Sequence, residues 1–458
     1  MHGIFGIRMK KSHASHQSWF RILLTLFILS LSLPVFAQGY RGHDFWVCFP
    51  QNRVQDGRKV LQQSIYITSE SRAKGQIENW VDGSKQPFSI EAGASASFEV
   101  DTLTEITSNG ETENKSLHIT SDNDITVYVV SHHFPSTDSY AAIPTSMLGL
   151  QYVVADYGAS AASNVGFTSQ AEIIATEDTT LVTTHLSSTL RDSLPAGRTI
   201  SFFMNRGQTL QLQGREQSDL TGTTVTSTKP IAFLTGHNCT QNSRDSSYCG
   251  MLLEMEPPAR DWGTSFIVGK FAGKDYSIVR IIANSDSTRV WLNGAPIAQL
   301  MRGGYCEVDT LHGDAVISTS KPALVAQYAT NALSDRVRIG GPFLIFITPN
   351  DRFISEVTAT PVIEGVFMDY LNVVVPDSGI ASLELDGVVF GKYPATADLE
   401  SKRKVPHSPY SILTFRTPPG RHLVRCAVPV AVYSYGFGLY NNTGDSYGHS
   451  CGERLEVK

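Results

Sequence analysis

Three markers recur in a fixed order four times along this chain, at a spacing of about 100 residues, and no other feature narrows the possible folds as much. The first is a short run with an aromatic: Asp44-Phe45-Trp46-Val47, Gln151-Tyr152-Val153-Val154, Ser265-Phe266-Ile267-Val268 and Arg352-Phe353-Ile354-Ser355. The second is a β-rich run ending in a polar tip: IYITSESRA from Ile65, EIIATEDTT from Glu172, RIIANSDST from Arg280 and NVVVPDSGI from Asn372. Asp and Ser at such a tip bond back to nearby backbone groups and favour a tight turn. The third is a closing hairpin: LHITSDNDITVYVV from Leu117, TVTSTKPIAFLT from Thr224, VISTSKPALVAQ from Val316 and LVRCAVPVAVYS from Leu423. Proline takes the first position of the second run in three of these copies, where a missing N–H costs a strand little.

Helical periodicity is nearly absent. Runs of Val, Ile, Thr, Tyr and Phe are instead split by Gly, Asp, Asn and Ser about every 8–12 residues, the pattern of sandwiches and barrels. Each copy has room for roughly seven strands, the count of a small sandwich. The expectation is an all-β fold, a tandem array of about four β-sandwich-like repeat units at 41–134, 150–237, 262–330 and 352–440, with a C-terminal tail at 441–458. Segments 135–149, 238–261 and 331–351 are rich in Pro, Gly, Ser or Asp and read as connectors. Propeller-like closure is the competing architecture, but a blade holds only about four strands.

Residues 1–37 read as a secretory signal peptide. Lys10, Lys11 and Arg21 precede an apolar run from Ile22 to Phe36, and Val35-Phe36-Ala37 supplies a cleavage site before Gln38. The run is short for a membrane span, and no second apolar span follows. The expected location is therefore secreted, held at the cell surface, or periplasmic. All 6 cysteines lie beyond the signal, an even count that suits an oxidising compartment. Cys239 and Cys249 share one polar loop and are expected to pair; Cys426 with Cys451 is a second candidate, and Cys48 and Cys306 stay open. Acidic residues outnumber basic ones, 43 to 37, and the signal takes Arg8, Lys10, Lys11 and Arg21 from the basic side. Nucleic acid and anionic membranes are poor partners for such a chain, because phosphate binding needs a clustered basic footprint.

The stretch from Lys229 to Val268 is the richest junction: a strand, a polar loop enclosed by Cys239 and Cys249, two prolines, then Trp262-Gly263 and another strand. Ile125 to Val154 repeats that order in weaker form. His132, His133, His237 and His449 stand at the junctions, near Asp138, Asp245 and Asp445. Their spacing differs between junctions, so no metal site is expected. Asp138-Ser139-Tyr140, Asp245-Ser246-Ser247-Tyr248 and Asp445-Ser446-Tyr447 allow two readings. Asp can cap a turn while Tyr packs over it. Alternatively the tyrosines touch a ligand, since Tyr gives contact area at low entropic cost. The candidate ligand-contacting residues are His133, Asp138, Tyr140, His237, Asp245, Tyr248, Trp262, Asp445 and Tyr447. No nucleophile elbow, zinc-protease helix motif or phosphate loop occurs, so neither a catalytic residue nor a cofactor is expected.

Gly42-His43-Asp44-Phe45-Trp46-Val47-Cys48-Phe49-Pro50-Gln51-Asn52 resembles the G-x-[DE]-F-W-V-x-F-P-x-N opening of the IgGFc-binding protein N-terminal domain. That family's second signature is matched by Lys229-Pro230, Thr235-Gly236-His237, Cys239, Cys249 and Trp262-Gly263-Thr264-Ser265-Phe266-Ile267-Val268. The likeness covers about Gly42 to Tyr440. The resemblance implies a secreted, non-enzymatic binding or adhesion module, of a bacterial type without von Willebrand type D repeats. Its expected partner is an extracellular protein or glycan met by the loops between units; immunoglobulin or a mucin-like partner is implied by resemblance alone. The rival expectations are a secreted hydrolase with paired carboxylates and a structural surface component that assembles with copies of itself.

Overall fold

The computed structural model describes residue 3 and residues 39–53, 61–133, 135–158, 167–242, 249–332, 338–362, 366–390, 399–438 and 444–457. The signal-peptide reading, Gly3 apart, falls outside these residues, as do Asp245 and Tyr248. The chain is all-β, a tandem array of four curled sheets.

The first repeat holds β1 (Gly42–Val47), β2 (Gln62–Thr68), β3 (Ala73–Asn79), β4 (Lys85–Ile90), β5 (Ser95–Val100), β6 (Thr112–Glu113), β7 (Leu117–His133) and β8 (Ser136–Ala141). The second holds β9 (Gly149–Val153), β10 (Ser169–Ala175), β11 (Thr180–His185), β12 (Thr199–Met204), β13 (Thr209–Gln213), β14 (Thr224–Thr240) and β15 (Gly250–Met255). The third holds β16 (Gly263–Val268), β17 (Ser277–Ala283), β18 (Thr288–Leu292), β19 (Ala295–Leu300), β20 (Tyr305–Leu311), β21 (Ala315–Ala329) and β22 (Leu344–Phe346). The fourth holds β23 (Ile354–Ala359), β24 (Phe367–Pro376), β25 (Glu384–Leu385), β26 (Val388–Val389), β27 (Leu399–Lys404), β28 (Tyr410–Thr417), β29 (His422–Gly438) and β30 (Ser446–Ser450).

Each sheet is built on one long strand that changes partners halfway. The orders are β4-β3-β7-β2-β5, β12-β11-β14-β10-β13-β6, β19-β18-β21-β17-β20 and β26-β25-β29-β24-β28-β27. In β14, Thr224–Ser227 pairs with β11, whereas Ile231–His237 pairs with β10. Lys229 and Pro230 fall between the two ladders. The third marker is therefore one continuous strand, not a hairpin. Pro230, Pro322 and Pro429 stand in its middle, where the ladder switches partners and no N–H is needed. In β7 the residues Asp122-Asn123-Asp124 occupy the same gap.

The short inner strands β8, β15, β22 and β30 lie in the segments that the sequence assigns to connectors and tail. β8 (STDSYA) and β30 (SYGHS) are polar yet buried along their whole length. The second repeat also borrows a strand: β6 from the first repeat pairs with β13. Where one repeat hands over to the next, Gly42, Gly149 and Gly263 lie under Pro144, Pro258 and Pro349; a Cβ on each glycine would fall 2.7, 2.4 and 2.3 Å from the proline ring. The fourth seam has no such covalent hand-over. There Tyr40 donates to Glu453 at 3.3 Å and Arg41 to Glu356 at 2.7 Å, while the C-terminal tail runs on to the other hand-overs, where Arg454 N–H bonds Arg352 O at 2.8 Å and Glu456 N–H bonds Asp261 Oδ1 at 3.0 Å.

The cores cross these seams. One cluster joins Tyr140 and Ile143 of the first repeat to Leu234 and Leu253 of the second and to Phe367 and Tyr447 of the fourth. Strands β10 and β17 are buried on both faces, so their apolar runs continue rather than alternate. The Cys239–Cys249 bridge is formed. The expected Cys426–Cys451 pair is not, and both thiols are free and buried. Cys451 N–H bonds Val432 O, six residues along β29 from Cys426, up to roughly 20 Å of extended chain. A disulfide needs its Cα atoms within about 7 Å.

Candidate functional site

The four inner strands meet at Asp138, in the middle of β8. Its carboxylate receives main-chain N–H groups from every other repeat. Oδ2 accepts from Leu253 of β15 at 2.9 Å and Leu344 of β22 at 3.5 Å; Oδ1 accepts from Gly448 of β30 at 3.0 Å and from its neighbour Ser139 at 2.9 Å. Burial pushes this carboxyl up from the ordinary range, against the pull of those four N–H donors.

Further bonds surround this hub. Asp445 accepts from Thr137 N–H at 2.9 Å and from its hydroxyl at 3.0 Å. Ser139 Oγ lies 2.8 Å from His449 Nδ1, and Glu254 of β15 accepts from Ser450 N–H at 3.3 Å. Burial holds His237 and His449 neutral, with pKa values down to about 3. His132, lowered to about 4 by burial and then by His133, lies against the Thr137 hydroxyl.

The tyrosines fix strands to one another. Tyr140 donates to Cys48 O at 2.9 Å and its oxygen accepts from Cys48 N–H at 3.1 Å, which fixes the end of β1. Tyr447 donates to Asp369 Oδ1 at 2.7 Å. Trp262 donates through its indole N–H to Pro257 O at 3.1 Å. His237 Nδ1 accepts from Cys239 N–H at 3.0 Å, two residues along the same strand.

The structure thus brings Asp138, Tyr140, Asp445 and Tyr447 together around the inner strands, with His133 and His237 at the ends of the long strands that feed them. Trp262 stands apart, at the hand-over to the third repeat. None of the described candidates is more than 4% exposed. Side chains so buried have no surface to offer a macromolecule, and the contacts found for them are within the chain. Leu253, Leu344 and Gly448 are the participants that sequence reasoning missed. They act through main-chain N–H groups, which leave no signal in side-chain identity. Glu254 is a side-chain participant also missed, in an otherwise apolar run.

What the hub does present is the set of connections that lead into it. Each inner strand follows a turn or loop from the end of a long strand, and the described ends of those loops touch. Thr137 meets Asp445, Ser446 Oγ donates to Gly341 O at 2.8 Å, Asn242 Nδ2 donates to Ala329 O at 2.6 Å, and Ser136 Oγ reaches Cys239 Sγ at 3.8 Å. Elsewhere, an open groove of about 510 Å³ runs between Leu150 and Gln151, the Pro258–Arg260 turn and Glu456. Among the described residues no group of three metal-ligating side chains comes together, and no helix is long and apolar enough to cross a membrane.

Comparison with known proteins gives two results. Residues 138–436 match the protein family described as IgGFc binding protein. A human protein named IgGFc-binding protein is 24% identical over 358 residues, which is 76% of this chain and 6% of the human protein. The chain thus spans a small fraction of that relative's length.

Proposed function

Because the chain belongs to the IgGFc-binding protein family, we propose that it is a secreted binding protein that holds an extracellular protein or glycan on the face formed by the loops leading into the inner strands. One observation supports this reading above the others. Asp138 ties β8 to β15, β22 and β30, so the loops entering those strands start from one rigid platform. Loops on a rigid scaffold pay little ordering entropy on binding. The Cys239–Cys249 bridge narrows the freedom of one such loop further and suits an oxidising compartment. The hub carboxylates are buried and engaged, which favours binding over hydrolysis. Immunoglobulin and mucin-like partners are candidates because of the human relative's name and the family likeness, and glycans because short polar loops suit them equally.

Chain lacking residues 1–37 should be passed over immobilised immunoglobulin G, mucin and a glycan array. Retention on one class is expected. The double substitution Asp245→Ala with Tyr248→Ala should weaken it by about tenfold or more with the melting temperature unchanged. Failure to bind any of these surfaces, or retention indifferent to the loop change, would count against the reading.

A further inference from the structure

Strands that end a sheet carry unpaired backbone groups, and proteins blunt them with proline, charge, bulges or brevity. Seven of the eight strands that end the sheet orders here are blunted in this way. β4 carries Lys85 and Pro87, β5 carries Glu99, and β20 carries Glu307 and Asp309. β19 contains Pro296 and a register shift, and β27 contains a shift and Glu400, Lys402, Arg403 and Lys404. β6 and β26 are two residues each.

β12 is the exception. Its sequence, TISFFM, has no charge and no proline, and it pairs with β11 without a break from Thr199 to Met204. Among the described residues no backbone bond reaches its other edge. Its outer face carries Phe203, which at 77% exposure is the barest large apolar side chain described. Arg198 and Arg206 flank the strand and are both exposed. The molecule also shows such an edge in use, since β13 of the same sheet accepts β6 from another repeat.

We propose that β12 is a docking edge that takes an extended strand from a partner protein, with an apolar residue over Phe203 and acidic residues at both ends. Main-chain bonds along the edge would give affinity, and the arginines would select the charge pattern. A second copy of this chain is a poorer occupant. Two β12 strands pairing antiparallel bring the Arg198 end of one to the Arg206 end of the other, like charge against like. None of the residues named for this edge belongs to the loops of the proposed binding face.

The probe is a fluorescent peptide, Glu-Asp-Val-Tyr-Val-Thr-Asp-Glu, with Lys-Arg-Val-Tyr-Val-Thr-Arg-Lys as the charge-reversed control. The acidic-ended peptide should bind about tenfold or more tightly than the control. It should also slow amide exchange within Thr199–Met204. Arg198→Glu with Arg206→Glu should reverse the preference, and Phe203→Lys should weaken binding by about tenfold. Asp245→Ala with Tyr248→Ala should leave peptide binding unchanged, which keeps this test independent of the loop reading. Absent binding, equal binding of the two peptides, or protection outside β12 would overturn the proposal. So would a concentration-dependent dimer that Phe203→Lys abolishes, because the edge would then belong to a second copy.

Discussion

Asp138 accepts four main-chain N–H groups, one from each repeat. Asp138→Asn keeps the shape but turns an amide N–H₂ toward groups that are themselves donors. The expected loss is about 3 kcal/mol of unfolding free energy, read from the urea midpoint at unchanged slope. Glu453, at the seam closed by the chain ends, tests the electrostatics. Burial, and then the charge of Asp261, pushes its carboxyl up to about 8 from an ordinary 4.5. The folded chain therefore holds this proton while the unfolded chain has released it. Its stabilising contribution is complete below about pH 4.5 and is lost as pH rises through about 8. Melting temperatures of the wild type and Glu453→Gln, taken from pH 5 to 9, should diverge with the variant flatter; parallel curves would contradict this. The Asp-Ser-Tyr elements were visible in the sequence as special. Their role was not, because Asp138 binds backbone atoms supplied by segments more than a hundred residues away.

The Cys239–Cys249 bridge was legible because two cysteines ten positions apart on one loop have little else to do in an oxidising compartment. Replacing both with Ser should cost about 3 kcal/mol by freeing a short loop in the unfolded chain. Cys426 and Cys451 misled for the converse reason: both lie in or beside the fourth repeat, but Cys451 meets β29 at Val432, six residues along the strand from Cys426. Strand β14 shows where periodicity runs out. Its two halves read as two strands across Pro230, and only the pairing shows one strand changing partners. Gly236 marks the closest approach in that strand, since a Cβ there would fall 1.8 Å from Leu252 O. Gly236→Ala should therefore lower the melting temperature by several degrees, consistent with about 2 kcal/mol or more of strain. The inner strands β8 and β30 escaped detection because their polar residues, paired in the hub, look like loop residues in isolation.

The all-β class and the four-fold repetition followed from markers spaced along the whole chain, and the curled sheets agree with them. The mutual contact of the inner strands did not follow, because seven strands per repeat argued against a propeller blade while the closing contacts come from short segments outside the apparent repeats. The four repeats form one cooperative body locked through Asp138. Native-state amide exchange at Leu253, Leu344 and Gly448 reports on that lock directly. The N–H groups of all three residues should open together, with free energies equal to that of global unfolding, and Asp138→Asn should lower all three by the same amount. Three different opening energies, or a loss confined to one repeat, would show that the repeats stand independently and that no single platform carries the loops.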